Sequence, residues 1–250
     1  LELIEDGVVL LTLQDEAHQN AFTPPFVDLL VARIRELGEI SAARVAILRG
    51  LPSVFCAGAH ESLLEGLAQG EHAASDIVLS RELLDLPIPA IAAMEGHAVG
   101  GGLAFGLCCD VVLMARESRY GCTFMNMGFT PGMGTTRLLQ DAVGHHVAAE
   151  MMFGGQLFKG SHFERRSAVN HVLPREQIYP RALSIARRFA DKPRFALELL
   201  KRHLSLPRRR AFEEARTVET FMHQISFGQA ETLERIRATY IGADDDGEEP

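Results

Sequence analysis

The chain has 250 residues, 47% of them hydrophobic and 23% charged, the proportions of a globular protein with one large core. Its formal net charge of −8, with no basic face in the sequence, argues against nucleic acid as a partner. The apolar stretch at residues 99–107 is too short and too glycine-rich for the roughly 20 residues of a membrane span, so no membrane partner is expected.

Short apolar strands are predicted at residues 8–13, 45–48, 90–94, 111–114 and 170–172, alternating with helical patterns and Gly/Pro punctuation, which is the α/β signature. Pro87 and Pro89 bracket the start of the strand that leads to a glycine-rich turn. After Pro174 the pattern becomes helical in segments 177–190, 193–206, 211–227 and 229–241. Phe212, Ala215, Val218, Met222 and Ile225, at spacings of three and four, mark one apolar helix face. The chain accordingly divides into a core at 1–190 that carries the candidate site, a C-terminal helical region at 191–242, and an acidic tail at 243–250 expected to be disordered. The basic run Arg208-Arg209-Arg210 reads as a solvated helix start, and its sharper alternative is a contact with an acidic carrier protein. Cys56, Cys108, Cys109 and Cys122 lack metal-ligand spacing and read as small buried residues of a reducing compartment. A cytoplasmic protein with no bound metal is expected.

Two turns point to chemistry. Residues 96–106 read Gly-His-Ala-Val-Gly-Gly-Gly-Leu-Ala-Phe-Gly between two apolar segments. Three consecutive glycines leave the backbone bare, so a carbonyl oxygen can approach the N–H groups at a helix start. A second small-residue turn, Phe55-Cys56-Ala57-Gly58-Ala59, follows another apolar run and can offer a second N–H. Two such donors make an oxyanion hole, which stabilises negative charge developing on a thioester oxygen. Either turn alone is equally a tight strand-to-helix connection with no ligand. No G-x-x-x-x-G-K-[ST] cradle occurs, and no G-x-G-x-x-G with an acidic residue downstream, so a nucleotide role is not expected.

Together with Cys109-Asp110 and the segment Gly128-Phe129-Thr130-Pro131-Gly132-Met133-Gly134, the two turns resemble the crotonase (enoyl-CoA hydratase/isomerase) superfamily. The resemblance runs from about Leu10 to about Tyr240. It implies a crotonase fold, a repeated ββα spiral whose C-terminal helices pack against a neighbouring subunit in homotrimers or hexamers. It also implies that the backbone N–H groups of Ala59 and Gly101 are the oxyanion donors. Hydratases of the superfamily place two catalytic glutamates where this chain has Ala104 and Phe124, and both carboxylates are absent. Hydration needs a positioned acid and base, each worth about 10²–10⁴-fold, so a poor hydratase is expected. Glu95, Glu117 and Glu150 read as surface or helix-end charges.

Loss of CO2 from a carboxylated acyl thioester needs no activated water, only an enolate-binding oxyanion hole, a pocket that does not repel the carboxylate, and a proton donor. A narrower resemblance agrees with that chemistry. Residues 118–134, Lys201-Arg202-His203-Leu204 and the segment 219–227 are similar to the 3-methylglutaconyl-ACP decarboxylases of polyketide β-branching cassettes. That resemblance implies a substrate held on the phosphopantetheine of an acyl carrier protein, no other cofactor, and His223 as proton donor or carboxylate contact. By the residues alone, His223 reads as a helix-edge histidine.

His60, next to Ala59, is a candidate pocket residue with Ala104 and Phe124. A studied type of these decarboxylases holds the substrate carboxylate with a Lys and a nearby Tyr in the helical segment after the first turn, where this chain has Leu63 and Leu67, and the stretch 66–70 is read as a loop over the site. The alternatives are a crotonase isomerase, hydratase-like enzyme or thioesterase acting on CoA esters, and a non-catalytic assembly-line scaffold.

Overall fold

The computed structural model describes residues 1–71 and 78–241. Three successive units each send one strand to a large sheet and the next to a small one. They are β3 (Val45–Arg49) with β4 (Val54–Cys56), β5 (Ala90–Met94) with β6 (His97–Val99), and β7 (Val111–Ala115) with β8 (Arg119–Gly121). Helices α2 (Glu61–Ala68), α4 (Gly101–Leu107) and α5 (Thr135–Val143) follow the three pairs, so the ββα spiral is observed directly. The large sheet runs β1-β2-β3-β5-β7-β10, where β1 is Glu2–Glu5, β2 is Val8–Thr12 and β10 is His171–Leu173. All its pairings are parallel except β1 with β2. The small sheet runs β4-β6-β8-β9, with β9 at Leu157–Lys159. The three-residue strands β4, β6, β8 and β9 carry too few residues for a period-2 signal, so the sequence reading did not resolve them as strands.

The period of two along the large sheet separates two cores. Val9, Leu11, Ala46, Leu48, Ala92 and Met94 face the main core with α1 (Pro24–Glu39), α3 (Leu79–Asp85) and α4. Val8, Val45, Ile47, Ile91 and Leu113 face α8 (Arg175–Ala190). Helix α1 begins as its sequence dictates, with the Thr23 hydroxyl accepting from the Phe26 N–H at 3.3 Å and prolines in its first turn. The buried Tyr120 hydroxyl donates to the Met94 carbonyl and accepts from the Ala115 N–H, both at 2.8 Å, which staples the small sheet to the large one.

The C-terminal helices differ from expectation at one proline. Segments 193–206 and 211–227 form a single helix, α9 (Arg194–Phe227), running through Pro207. Pro207 and His203, whose carbonyl would have paired with the missing N–H, both lie on the solvent face, so that carbonyl is open to solvent and the helix continues. The run Arg208–Arg210 is therefore mid-helix rather than a solvated helix start. Arg208 donates to the carbonyls of Leu107 (2.5 Å) and Cys109 (3.2 Å) at the C-terminus of α4, and Arg209 pairs with Asp85 at 2.7 Å. The tail at 243–250 lies outside the described residues. The remaining helices are α6 (His145–Gly154), α7 (Gly160–Phe163) and α10 (Ala230–Ile241). Among the described residues no helix is long and apolar enough to cross a membrane.

Lys201 on α9 is nearly inaccessible, and its ammonium donates to both Asp110 oxygens at 2.7 Å, while Asp110 also accepts from the Ala90 N–H at 2.8 Å. Removing one partner of such a pair leaves a charge that the interior does not solvate. Lys201→Met is expected to lower stability by about 3 kcal/mol, the low end for a buried pair because Asp110 keeps some exposure. Chemical denaturation of the variant beside the parent measures it.

Candidate active site

The bend at 57–60 is shaped from both sides. Asn20, fully buried with φ +57°, donates through Nδ2 to the carbonyls of Leu13 (3.1 Å) and Phe55 (3.0 Å), and its own carbonyl accepts from the Cys56 thiol. The Phe22 N–H donates to the Gly58 carbonyl at 2.7 Å and the His60 N–H to the Phe22 carbonyl at 3.2 Å. In this parallel bridge between Phe22 and Ala59, the N–H and C=O of Ala59 itself point to the opposite edge. Among the described residues the Ala59 N–H has no acceptor.

Helix α4 starts against that bend. A Cβ on Gly102 would sit 2.4 Å from the Cys56 carbonyl, so only glycine lets the backbones touch there. A Cβ on Gly58, where φ is +92°, would lie 3.7 Å from the Gly101 nitrogen. The two glycine-containing turns, remote in sequence, are thus neighbours. The Gly101 N–H, in the first turn of α4, is likewise without an acceptor among the described residues, as expected for a helix-start amide.

Around these amides the wall is apolar. A side chain at Gly101 would meet Met133 Sδ at 2.8 Å and the Phe22 ring at 3.3 Å, and one at Gly100 would meet the Phe124 ring at 3.5 Å. Phe124 opens the 3₁₀ turn Phe124–Met127 and packs edge-on against Phe129 at 5.9 Å, which stacks on Phe227 at 4.7 Å. Ala104, one helical turn beyond Gly101, is fully buried.

His223 closes this aromatic group, with its ring 6.3 Å from Phe129 and 5.4 Å from Phe227. A Cβ on Gly132, one residue before Met133, would lie 2.4 Å from its Cε1. Nε2 is 2.8 Å from the Thr130 carbonyl, an acceptor only, so the proton sits on Nε2 in the neutral ring. Nδ1 and the Thr130 hydroxyl are both buried without a partner among the described residues. Burial holds the imidazole below its ordinary pKa, with the Thr130 and Pro131 carbonyls opposing. One turn away, Glu219 is only 2% exposed and accepts from the N–H groups of Gly134 (2.7 Å) and Thr136 (2.9 Å) and from the Thr136 hydroxyl. It caps α5, whose own cap residue is a glycine, and burial raises its pKa.

Other candidates are placed differently. His60 caps α2, its Nδ1 accepting from the Ser62 N–H at 3.2 Å, and its ring faces His18 and Tyr240. Leu63 is buried and Leu67 half-buried in α2, and Gly66 lies within that helix, so 66–70 is not a loop but a helix end and turn. Glu95 is not a surface charge: it is 8% exposed and paired through both oxygens with Arg49, which lies over the Tyr179 ring. Glu117 accepts from the Arg175 N–H at the start of α8. The cysteines are buried, with the thiols of Cys56 and Cys122 pushed up to about 12 and that of Cys108 to about 11 by desolvation.

Comparison with known proteins shows the family. The model of the enoyl-CoA hydratase/isomerase family matches residues 3–240. The bacillaene synthase decarboxylase PksI of Bacillus subtilis is 35% identical over 95% of this chain and 95% of its own length. Human mitochondrial methylglutaconyl-CoA hydratase is 28% identical over 80% of this chain and 62% of its own. A solved chain from a dehydratase/decarboxylase enzyme couple involved in polyketide beta-branching superposes with a TM-score of 0.90, at 35% identity over 95% of this chain and 94% of that one. The ECH2 decarboxylase domain of CurF from Lyngbya majuscula superposes with a TM-score of 0.88, also at 35% identity, over 95% and 97%. With the family model matched over residues 3–240 and the ββα spiral in place, the chain belongs to the enoyl-CoA hydratase/isomerase family, the crotonases.

Proposed function

We propose that this protein is an enzyme that removes CO2 from a 3-methylglutaconyl group carried as the phosphopantetheine thioester of an acyl carrier protein. The observation that carries the reading is the apolar wall of Phe22, Phe124 and Met133 beside two unpartnered backbone N–H groups, with a buried Ala104 on the same helix, in a site whose buried acid, Glu219, is occupied in capping α5. The similarity to PksI and to the CurF domain, both named as decarboxylases, points the same way.

In this scheme the Ala59 and Gly101 amides bind the thioester oxygen. The bond between the γ-carbon and the carboxylate breaks, its electron pair moves through the conjugated system onto that oxygen, and CO2 departs along the apolar side. The resulting dienolate takes one proton, giving a 3-methylcrotonyl or 3-methylbutenoyl thioester. His223 supplies the proton as imidazolium, from Nδ1, because the Thr130 carbonyl holds the Nε2 proton. Burial makes that imidazolium a stronger acid than a free histidine. His60, committed to capping α2, stands at the edge of the pocket, not in the proton path. No cofactor other than the substrate's phosphopantetheine enters the scheme. Exposed Phe195, Leu199, Leu204, Phe221 and Ile225 along α9 support subunit contacts of the kind a homotrimer makes.

Two outcomes test the reading. Incubation with 3-methylglutaconyl carrier protein is expected to remove one CO2 from the bound acyl group by mass spectrometry, and His223→Ala to slow this about 10²–10⁴-fold with carrier binding intact. Carrier binding with an unchanged acyl mass would instead mark a scaffold, and release of free acid a thioesterase. The second outcome is a pH profile. The donor is the protonated ring and its pKa lies below the ordinary 6.5, so kcat is expected to fall as pH rises from 6 to 8. His223→Gln removes that dependence; the same limb in the variant would assign it to another group.

A further inference from the structure

The Ala59 backbone is held on its open edge by a residue from the end of the chain. Its carbonyl accepts from the Tyr240 hydroxyl of α10 at 2.5 Å. In extended backbone the N–H and C=O of one residue point to the same side, so this hydroxyl stands beside the free Ala59 N–H. Near the other end of α10, the single Thr232 hydroxyl proton is shared between the carbonyls of Ser226 (2.7 Å) and Gly128 (3.0 Å), the latter next to Phe129 and Thr130. The step of eight positions from Thr232 to Tyr240 spans about 12 Å of helix, so α10 is a rigid spacer between the two walls of the site. Arg237, paired with Glu65 of α2 at 3.0 Å, is a further tie that does not touch Ala59. The Tyr240 ring packs against the main core. Burial and the nearby Glu61 charge push the phenol up to about 12, so it remains a donor across the working range of pH.

We infer that Tyr240 is a positioning residue for the oxyanion site: its hydroxyl fixes the Ala59 peptide plane so that the Ala59 N–H meets the thioester oxygen in line. The inference rests on the oxyanion reading above but not on the identity of the acyl group. Removing an oxyanion donor outright costs about 10²–10³ in kcat, and tilting one costs less.

The test uses the full chain and a crotonyl pantetheine thioester labelled with ¹³C at the carbonyl, which has no carboxylate to lose. Infrared difference spectra of the bound thioester report polarisation of its carbonyl. The parent protein is expected to lower the carbonyl frequency, and Tyr240→Phe, which keeps the ring, to return it toward the free value. The same variant is expected to lower kcat on the carrier-bound substrate about tenfold with KM changed less than about twofold. Arg237→Gln, which loosens α10 without touching Ala59, is expected to leave the frequency in place. An unshifted frequency in Tyr240→Phe overturns the inference and leaves the oxyanion reading standing. An equal shift in Arg237→Gln overturns it too, since any loosening of α10 would then suffice. A parent protein that does not polarise the carbonyl overturns both.

Discussion

Backbone meets backbone where Gly102 lies on the Cys56 carbonyl, and the site exists because of that contact. A methyl group at 102 would separate the start of α4 from the end of β4, and with them the amides of Gly101 and Ala59. The other features serve the same approach. The short strands β4 and β6 pair in parallel just before the two turns, and buried Asn20 ties the first turn to the end of β2. Backbone donors held by a packed core need no reorganisation when charge develops, which gives a preorganised site its advantage over water.

The long helix α9 is the second organising element, and its polar side chains work at the ends of other helices. Arg208 meets the last carbonyls of α4, Lys201 neutralises Asp110 just beyond them, and Glu219 caps α5. Positive charge thus sits at a helix C-terminus and negative charge at an N-terminus, each matching the local dipole. Because His223 lies one turn beyond Glu219, the same anchoring presents its ring to Gly132 and Phe129. Structural ties and the candidate proton donor therefore share one rigid helix face.

Much of this was legible in the residues. The apolar strands of the large sheet and the bare turns at 55–59 and 96–106 follow from residue type and spacing, whereas the significance of Ala104 and Phe124 follows from the resemblance to the crotonases. The errors are equally instructive. Pro207 falls between two predicted helices, yet the His203 carbonyl it leaves unpaired is on the solvent face and α9 continues. Glu95 looks like surface charge, yet it is buried and paired with a half-buried Arg49.

What the sequence determined by itself was local: periodicity sets which residues face a core, and glycine marks where backbones can come close. Only the tertiary structure decided the partners. Nothing in spacing tells that Glu219 caps α5, that Arg208 reaches the end of α4, or that Tyr240 returns to Ala59. Such pairings depend on where separate elements come to rest against each other, and that is a property of the packed chain as a whole.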